Sequence, residues 1–543
     1  MIRNTLLQTF TPVAFLILLS GCGPKPVSRT LLEFNNATVQ KTSNLTEEES
    51  KSWGHMDLLQ DTVPGMSVDR AYSELLVNSA GNTVVVAVLD SGIDLEHEDL
   101  DGVLWTNADE IPNNGKDDDQ NGFVDDIHGY NFLGESYHEQ LEAARIVRLS
   151  IGDAALQAKA KSVLDQESAE ARSNKARYDQ ILGAVEAADQ AVKQHLESDS
   201  YNQEDVEGIQ TNDPELQQHL SVIRQMYNFD SSIEGILSQL REGINYFSDR
   251  LNYHFNTTFN GRTIVGDNPY DLNDRGYGNG NPKNRVADES HGTHVAGIIA
   301  AERNNGIGVN GVADRVQIMS VRTVPDGDEY DKDVALAIRY ATDNGAQIIN
   351  ASFGKPFSPN SEWVKEALIY AAKKDVLFVH AAGNDALDLD RSENENYPTD
   401  QVAAGPEYTN NVLTVGSLDN TYGSEMVSSF SNYGATSVDV FAPGGQIYST
   451  MPGNQYDFQG GTSMAAPAVS GIAAILRSRF PKLSAVQVKE IIMSSGLSIT
   501  EQVALGGDSE NKKPLGAASR TGRIVNLYNA LILAEQVNRG SKK

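Results

Sequence analysis

The chain has 543 residues, 40% of them hydrophobic, and a net charge of −31. That length accommodates several domains, or one large domain carrying an insertion. So acidic a chain is excluded as a nucleic-acid binder, because phosphate contacts need clustered Lys and Arg, whereas divalent cations suit it.

Arg3 supplies a short basic stretch, residues 10–19 are apolar, and the run ends Leu19-Ser20-Gly21-Cys22 at the only cysteine. An apolar run this short reads as a processed signal over 1–21 rather than a membrane span. Leu-Ser-Gly-Cys resembles a bacterial lipobox, which implies that Cys22 becomes the lipidated first residue of a membrane-anchored chain. An ordinary signal peptide with a chance cysteine is the alternative. Gly23, in place of the aspartate that retains many lipoproteins at the inner membrane, favours the outer membrane. Residues 22–52 are polar and read as a tether, with folded structure expected from Trp53.

Residues 83–89 form a β-branched run ending in Asp90-Ser91-Gly92, the pattern of a fully buried parallel strand. Sites in open α/β sheets lie at that end of the strand. Downstream, Asp117, Asp119 and Asn121 copy the start of an EF-hand loop, with Asp126 following, but His128 stands where the bidentate glutamate belongs. A non-EF calcium loop is expected there, with a plain Asp/Asn/Gly turn as the alternative. Residues 135–262 differ in kind. Helical spacing in 141–164, 169–196 and 216–251 predicts an inserted all-helical subdomain between 53–134 and 263–543. It would act as a lid, a regulator or an arm that docks a protein partner.

His291-Gly-Thr-His-Val-Ala-Gly297 opens a second helix of small residues. His291 and His294 lack a third ligand at zinc spacing, so His294 reads as a core histidine. Strands at 316–321, 348–351, 376–381 and 412–416 alternate with helical patterns at 333–344 and 361–374. This predicts an α/β fold with a doubly wound, mostly parallel sheet and helices on both faces. The third of these strands ends in Ala382-Gly383-Asn384. Finally, Gly460-Gly-Thr-Ser463-Met-Ala-Ala-Pro467 reads as a sharp turn into a buried helix, with Pro467 in its first turn. Free amides and the helix dipole at such a terminus favour negative charge near Ser463. Taken alone, the octapeptide describes an N-capping serine as readily as a nucleophile.

Asp90, His291 and Ser463 together change that balance. Through Val88-Leu-Asp-Ser-Gly-Ile-Asp94, His291–Gly297 and Gly461-Thr-Ser-Met-Ala-Ala-Pro467, the chain resembles the subtilisin-like serine peptidases (subtilases). The resemblance covers about 53–134 and 263 onward. It implies an endopeptidase for polypeptides, with Ser463 as nucleophile, His291 as general base and acid, and Asp90 as the orienting carboxylate. Asn384 and the Ser463 amide would form the oxyanion hole. Ser352, Phe353 and Gly354, with Ala382 and Gly383, would flank the first specificity pocket, where Lys355 replaces the second glycine of many relatives. The acidic stretch 385–395 would favour basic substrate residues, or is simply a solvated loop. No cofactor is implied for the chemistry. A structural calcium is implied on Asp99, the Asn305 side chain and the carbonyls of Arg303, Ile307 and Val309.

Two features depart from that pattern: the helical insertion, and only about thirty residues between Cys22 and the fold, too few for a compact prodomain. A catalytically retired subtilase fold serving as a membrane-anchored binding scaffold is the alternative reading. An esterase on an α/β-hydrolase fold is excluded, since it needs Gly-x-Ser-x-Gly and the order Ser, Asp, His.

Overall fold

The computed structural model describes residues 30–33, 41, 44–77, 80–402 and 405–540. Cys22 and the expected signal segment 1–21 lie outside the described residues. In chain order the strands are β1 (Val84–Asp90), β2 (Gly129–Asn131), β3 (Val316–Arg322), β4 (Ile348–Ala351), β5 (Leu377–Ala381), β6 (Val412–Leu418) and β7 (Val440–Pro443). They continue as β8 (Ile447–Met451), β9 (Gln455–Gln459), β10 (Leu497–Ser498), β11 (Gln502–Leu505), β12 (Asp508–Pro514) and β13 (Arg523–Ile524). The helices of the first half are α1 (Glu47–Ser52), α2 (Val68–Glu74), α3 (Glu142–Leu149), α4 (Ala154–Leu196), α5 (Gln203–Gly208), α6 (Pro214–Met226) and α7 (Ile233–Asp249). Those of the second half are α8 (His291–Ala300), α9 (Asp331–Asp343), α10 (Ser361–Lys373), α11 (Thr462–Arg479), α12 (Ala485–Ser495) and α13 (Leu527–Gly540).

One nine-stranded sheet runs β10-β13-β7-β6-β5-β4-β1-β3-β2, and only the β10–β13 edge pair is antiparallel. β1 explains why its sequence is apolar without alternation. Val84, Val86 and Val88 join the core formed with α8, α11, α12 and α13, while Ala87 and Leu89 join the opposite core with α9 and α10. Successive side chains point to opposite faces, and both faces are covered. Each Val or Leu buried this way contributes about 1.5–3 kcal/mol. β1 pairs with β3 on one side and β4 on the other, so the chain order reverses around it. That switch point opens a crevice at the strands' C-terminal ends. Close packing above it needs small residues: a Cβ on Gly297 of α8 would stand 2.2 Å from Thr450 Oγ1, and one on Gly471 of α11 2.6 Å from Val312.

The insertion is helical as expected, but its elements differ. α4 is one unbroken helix of 43 residues where two were expected, since residues 164–169 contain neither Gly nor Pro. The expected helix 141–164 is instead interrupted after α3, where Ser150 turns left-handed and Asp153 caps α4 through the Leu156 amide. The expected helix 216–251 is likewise broken between α6 and α7, where Ser232 caps the latter. A distal core (Val185, Val192, Leu220, Ile223, Ile236) is separate from a proximal one in which Ala160 and Leu164 meet Phe255 and Phe357.

Both roots of the insertion are built into the sheet domain by buried ion pairs. Glu142 pairs with Arg145 at 2.5 Å and with Lys355 at 2.9 Å, and Lys355 also reaches Asp331 at 2.9 Å. At the other root Arg262 bridges Asp267 and Asp333. Removing one partner of such a pair leaves an uncompensated buried charge, costing about 3–5 kcal/mol. Within the expected tether, Thr46 closes a capping box on α1, and the Leu32 backbone pairs with the Asn529 side chain.

These contacts predict how far the insertion can be trimmed. Excising residues 180–241 and joining α4 to α7 by a glycine-rich turn removes only the distal core, and a thermal melt should stay cooperative and near wild type. Excising 135–261 takes Glu142 from buried Lys355 and uncovers Phe357 of the proximal core, and should lower the melting temperature by many degrees or abolish folding.

Candidate active site

Asp90 ends β1, is 1% exposed, and accepts from the Ser91 amide at 2.8 Å and from His291 Nδ1 at 2.7 Å, both through Oδ1. A carboxylate only accepts, so Nδ1 carries the proton and Nε2 is left as the basic nitrogen. Backbone closeness sets this distance: a Cβ on Gly292, the residue after His291, would meet the Gly92 carbonyl at 2.2 Å and Asp90 Cβ at 3.2 Å. Burial pushes the His291 imidazolium down, and the charge and hydrogen bond of Asp90 outweigh it, leaving the pKa above its ordinary value. His294 is buried, with Nε2 donating to the carbonyls of Ile447 and Asp457, and burial lowers its pKa to about 4.

Ser463 is the second residue of α11. Pro467 is the sixth, so it lies inside the helix rather than in its first turn as expected. Lacking an N–H, it cannot satisfy the carbonyl four residues back, which is that of Ser463. The Ser352 hydroxyl does so instead, donating to Ser463 O at 2.8 Å. In return the Ser463 hydroxyl donates to the Ser352 carbonyl at 3.0 Å. The Ser463 hydroxyl is therefore not bonded to His291 in this rotamer; contacts of that kind often tighten only with substrate.

The other expected residues gather around Ser463. Asn384 follows β5, and its Oδ1 accepts from the Thr462 amide at 2.9 Å and hydroxyl at 3.0 Å. Its Nδ2 is thereby turned outward. A Cβ on Gly461 would sit 3.3 Å from that Nδ2 and 3.6 Å from the Ser463 amide nitrogen, so both donors border one small space. Ser352, Phe353 and Gly354 leave β4 beside Ala382 and Gly383 leaving β5, because these strands pair in parallel. Gly383 has φ +98°, and a Cβ there would reach Asn432 Nδ2 at 2.4 Å, which leaves glycine as the fitting residue. Lys355 does not rim the pocket: its ammonium is buried in the ion pairs of the insertion root.

At both expected cation sites an asparagine turns its amide nitrogen, not its oxygen, towards the carboxylates. Asp99 is fully buried and meets Asn305 Nδ2 at 2.7 Å and the Val309 amide at 2.9 Å, so the 302–309 loop wraps it. The Arg303 side chain turns away, over the Tyr72 ring and onto Gly311 O. In the other loop Asp119 and Asp126 converge, but Asp117 and Asn121 do not offer oxygens to them. Asp117 spends its carboxylate on the Asn121 and Gly122 amides, and Asn121 presents its Nδ2 to Asp119 and Asp126.

Sequence reasoning missed two contributors. Arg322, paired in register with Asp90, is fully buried, forms an ion pair with Glu289, and donates to the carbonyls of Ser91, Gly134 and Ser136. It ties the turn after Asp90 to the segment two residues before His291. An arginine closing an otherwise apolar strand was the available signal. Asn396 was the other: its Oδ1 stands 2.3 Å from where a Gly354 Cβ would lie, and its Nδ2 donates to Ala382 O at 2.9 Å. It therefore bridges the two pocket-flanking segments.

A buried carboxylate, an imidazole, a hydroxyl at a helix N-terminus and two convergent donors define a serine-hydrolase type of site on a doubly wound sheet. The chain belongs to the subtilase family, whose model (Peptidase S8) matches residues 81–522. It is 41% identical over 191 residues to a thermophilic serine proteinase of Bacillus sp. (strain AK1), a match spanning 35% of this chain and 43% of that protein. It is 36% identical over 217 residues to subtilisin DY of Bacillus licheniformis, spanning 40% of this chain and 73% of that protein. Thermitase of Thermoactinomyces vulgaris is 40% identical over 190 residues, spanning 35% of this chain and 61% of that protein. A solved protease structure from Pseudoalteromonas arctica aligns with 90% of this chain and 97% of its own, at 20% identity and a TM-score of 0.45.

The raised His291 pKa has a sign that can be checked. Folding favours the protonated form, so the pair's stabilisation is complete below the ordinary value of 6.5 and is lost as pH rises through the folded value. A histidine-resolved NMR titration should place His291 above 6.5, and Asp90→Asn should bring it down and flatten that pH dependence of stability.

Proposed function

We propose that this chain is a serine endopeptidase that cleaves polypeptides through an acyl-enzyme. The observation that carries the reading is the 2.7 Å hydrogen bond from His291 to buried Asp90, in a subtilase that places Ser463 at a helix N-terminus. Ser463 Oγ swings from the Ser352 carbonyl towards His291 Nε2 and attacks the scissile carbonyl as His291 takes its proton. Asp90 stabilises the imidazolium without becoming protonated. Asn384 Nδ2 and the Ser463 amide receive the tetrahedral oxyanion. His291 returns the proton to the leaving amine, and water then releases the acyl group by the same route. Substrate adds as an extended strand along 352–354, with Ala382 and Gly383 opposite.

Asp99, wrapped by the 302–309 loop, would hold a structural calcium together with the carbonyls of Arg303, Ile307 and Val309 and the Asn305 oxygen, once Asn305 turns that oxygen inward in place of Nδ2; such an oxygen set suits a hard cation. Cys22 would anchor the protein in the bacterial envelope, on the outer membrane, and α4 to α7 offer a surface for a protein partner. Metabolic labelling with a fatty-acid probe should mark the wild type and not Cys22→Ala, which should leave the membrane fraction; equal labelling would discard the anchor.

A fluorophosphonate probe tests the chemistry. The wild type should label and Ser463→Ala should not, and Asn384→Ala should lose about 10²–10³ in kcat, the magnitude known for a subtilisin oxyanion donor. A folded wild type that never labels would overturn the reading in favour of a retired scaffold.

A further inference from the structure

We propose that Glu110, Asp119 and Asp126 bind a hard divalent cation, of calcium type, on the loop that leads into β2. Each carboxylate offers an oxygen, and the three oxygens lie within 4.8 Å of one another. Among the described residues no lysine or arginine pairs with any of them. Asp126 is fully buried and Glu110 is 6% exposed. Glu110 is the telling residue. Its Oε1 is held by the Asp118 amide at 2.7 Å, while Oε2 is buried without a hydrogen-bond partner. A buried carboxylate oxygen left bare beside two more carboxylates must be neutralised by a proton or offset by a cation, and three converging carboxylates offer a cation its ligands.

The surrounding amides are oriented for this role. Asn107 Nδ2 donates to Asp119 at 3.0 Å and to Asp126 at 3.1 Å, and Asn121 Nδ2 does the same at 3.0 and 3.1 Å. Neither amide is free to reverse, because the Asn107 oxygen holds the Asp109 amide and the Asn121 oxygen holds the Phe123 amide. They fix the two aspartates, whose oxygens each have a second lone pair for a cation beside the bare Glu110 Oε2. An all-oxygen donor set without imidazole or thiolate selects a hard ion over zinc. Three carboxylates favour calcium over magnesium, which keeps most of its waters and uses one or two. The ion would fasten the loop to α9, since Tyr340 donates to Asp126 at 2.7 Å.

The test uses the protein in a Ser463→Ala background, which prevents self-digestion. After chelation, calcium or magnesium is titrated calorimetrically into this protein and into versions also carrying Glu110→Gln, Asp119→Asn or Asp99→Asn. Removing Glu110 or Asp119 should delete one calcium equivalent or weaken it at least tenfold, magnesium should bind more weakly, and Asp99→Asn should keep the equivalent. Tighter magnesium than calcium binding would overturn the calcium assignment; unchanged stoichiometry and affinity in both loop variants would overturn the site. Limited proteolysis of the Ser463→Ala protein needs no loop variant: a chelator should expose bonds within 107–126 and calcium re-protect them. Protection indifferent to the chelator would also overturn it.

Discussion

The hydrogen bond between Asp90 and His291 is the contact on which the rest of the molecule depends. It joins residues 201 positions apart across the whole insertion, and its length tolerates little error. Three features hold it. β1 delivers Asp90 at the switch point of the sheet, Gly292 lets α8 approach the Gly92 backbone, and Arg322 ties the Ser91 turn to Glu289. Each is a buried backbone or ionic constraint, which is how a site is held to within fractions of an ångström.

The Ser352–Ser463 pair shows the same economy. Pro467 breaks the ladder of α11 at Ser463, and the freed carbonyl becomes the anchor for Ser352 at the end of β4. A helix defect thus links the proposed nucleophile to β4. The insertion is linked to the same strand end by different means. Lys355, one residue beyond Gly354, shares its charge with Glu142 of α3 and Asp331 of α9.

Much of this was legible in the sequence. The parallel sheet announced itself because strands covered on both faces are apolar throughout, and the chemical motifs because each couples a reactive residue to the small residues that let it approach. The capping box Thr46–Glu49 could have been read, and would have moved the start of structure ahead of Trp53. The single long α4 was harder: its polar, alanine-rich sequence has propensity throughout but no periodic stripe that shows where helices end. The Asp117 loop misled because its spacing copies a known ligand pattern, whereas backbone amides had already claimed Asp117.

The sequence by itself determined the fold class, the family and the motifs that carry Asp90, His291 and Ser463, since local patterning and spacing encode these directly. The tertiary structure alone decided which partners those residues hold: Ser352 for the Ser463 carbonyl, Glu289 for Arg322, the insertion root for Lys355, and Glu110 beside Asp119 and Asp126. The physical reason is that a buried polar group must find a partner wherever folding places one, and that partner is fixed by packing across tens to hundreds of residues rather than by its neighbours in the chain.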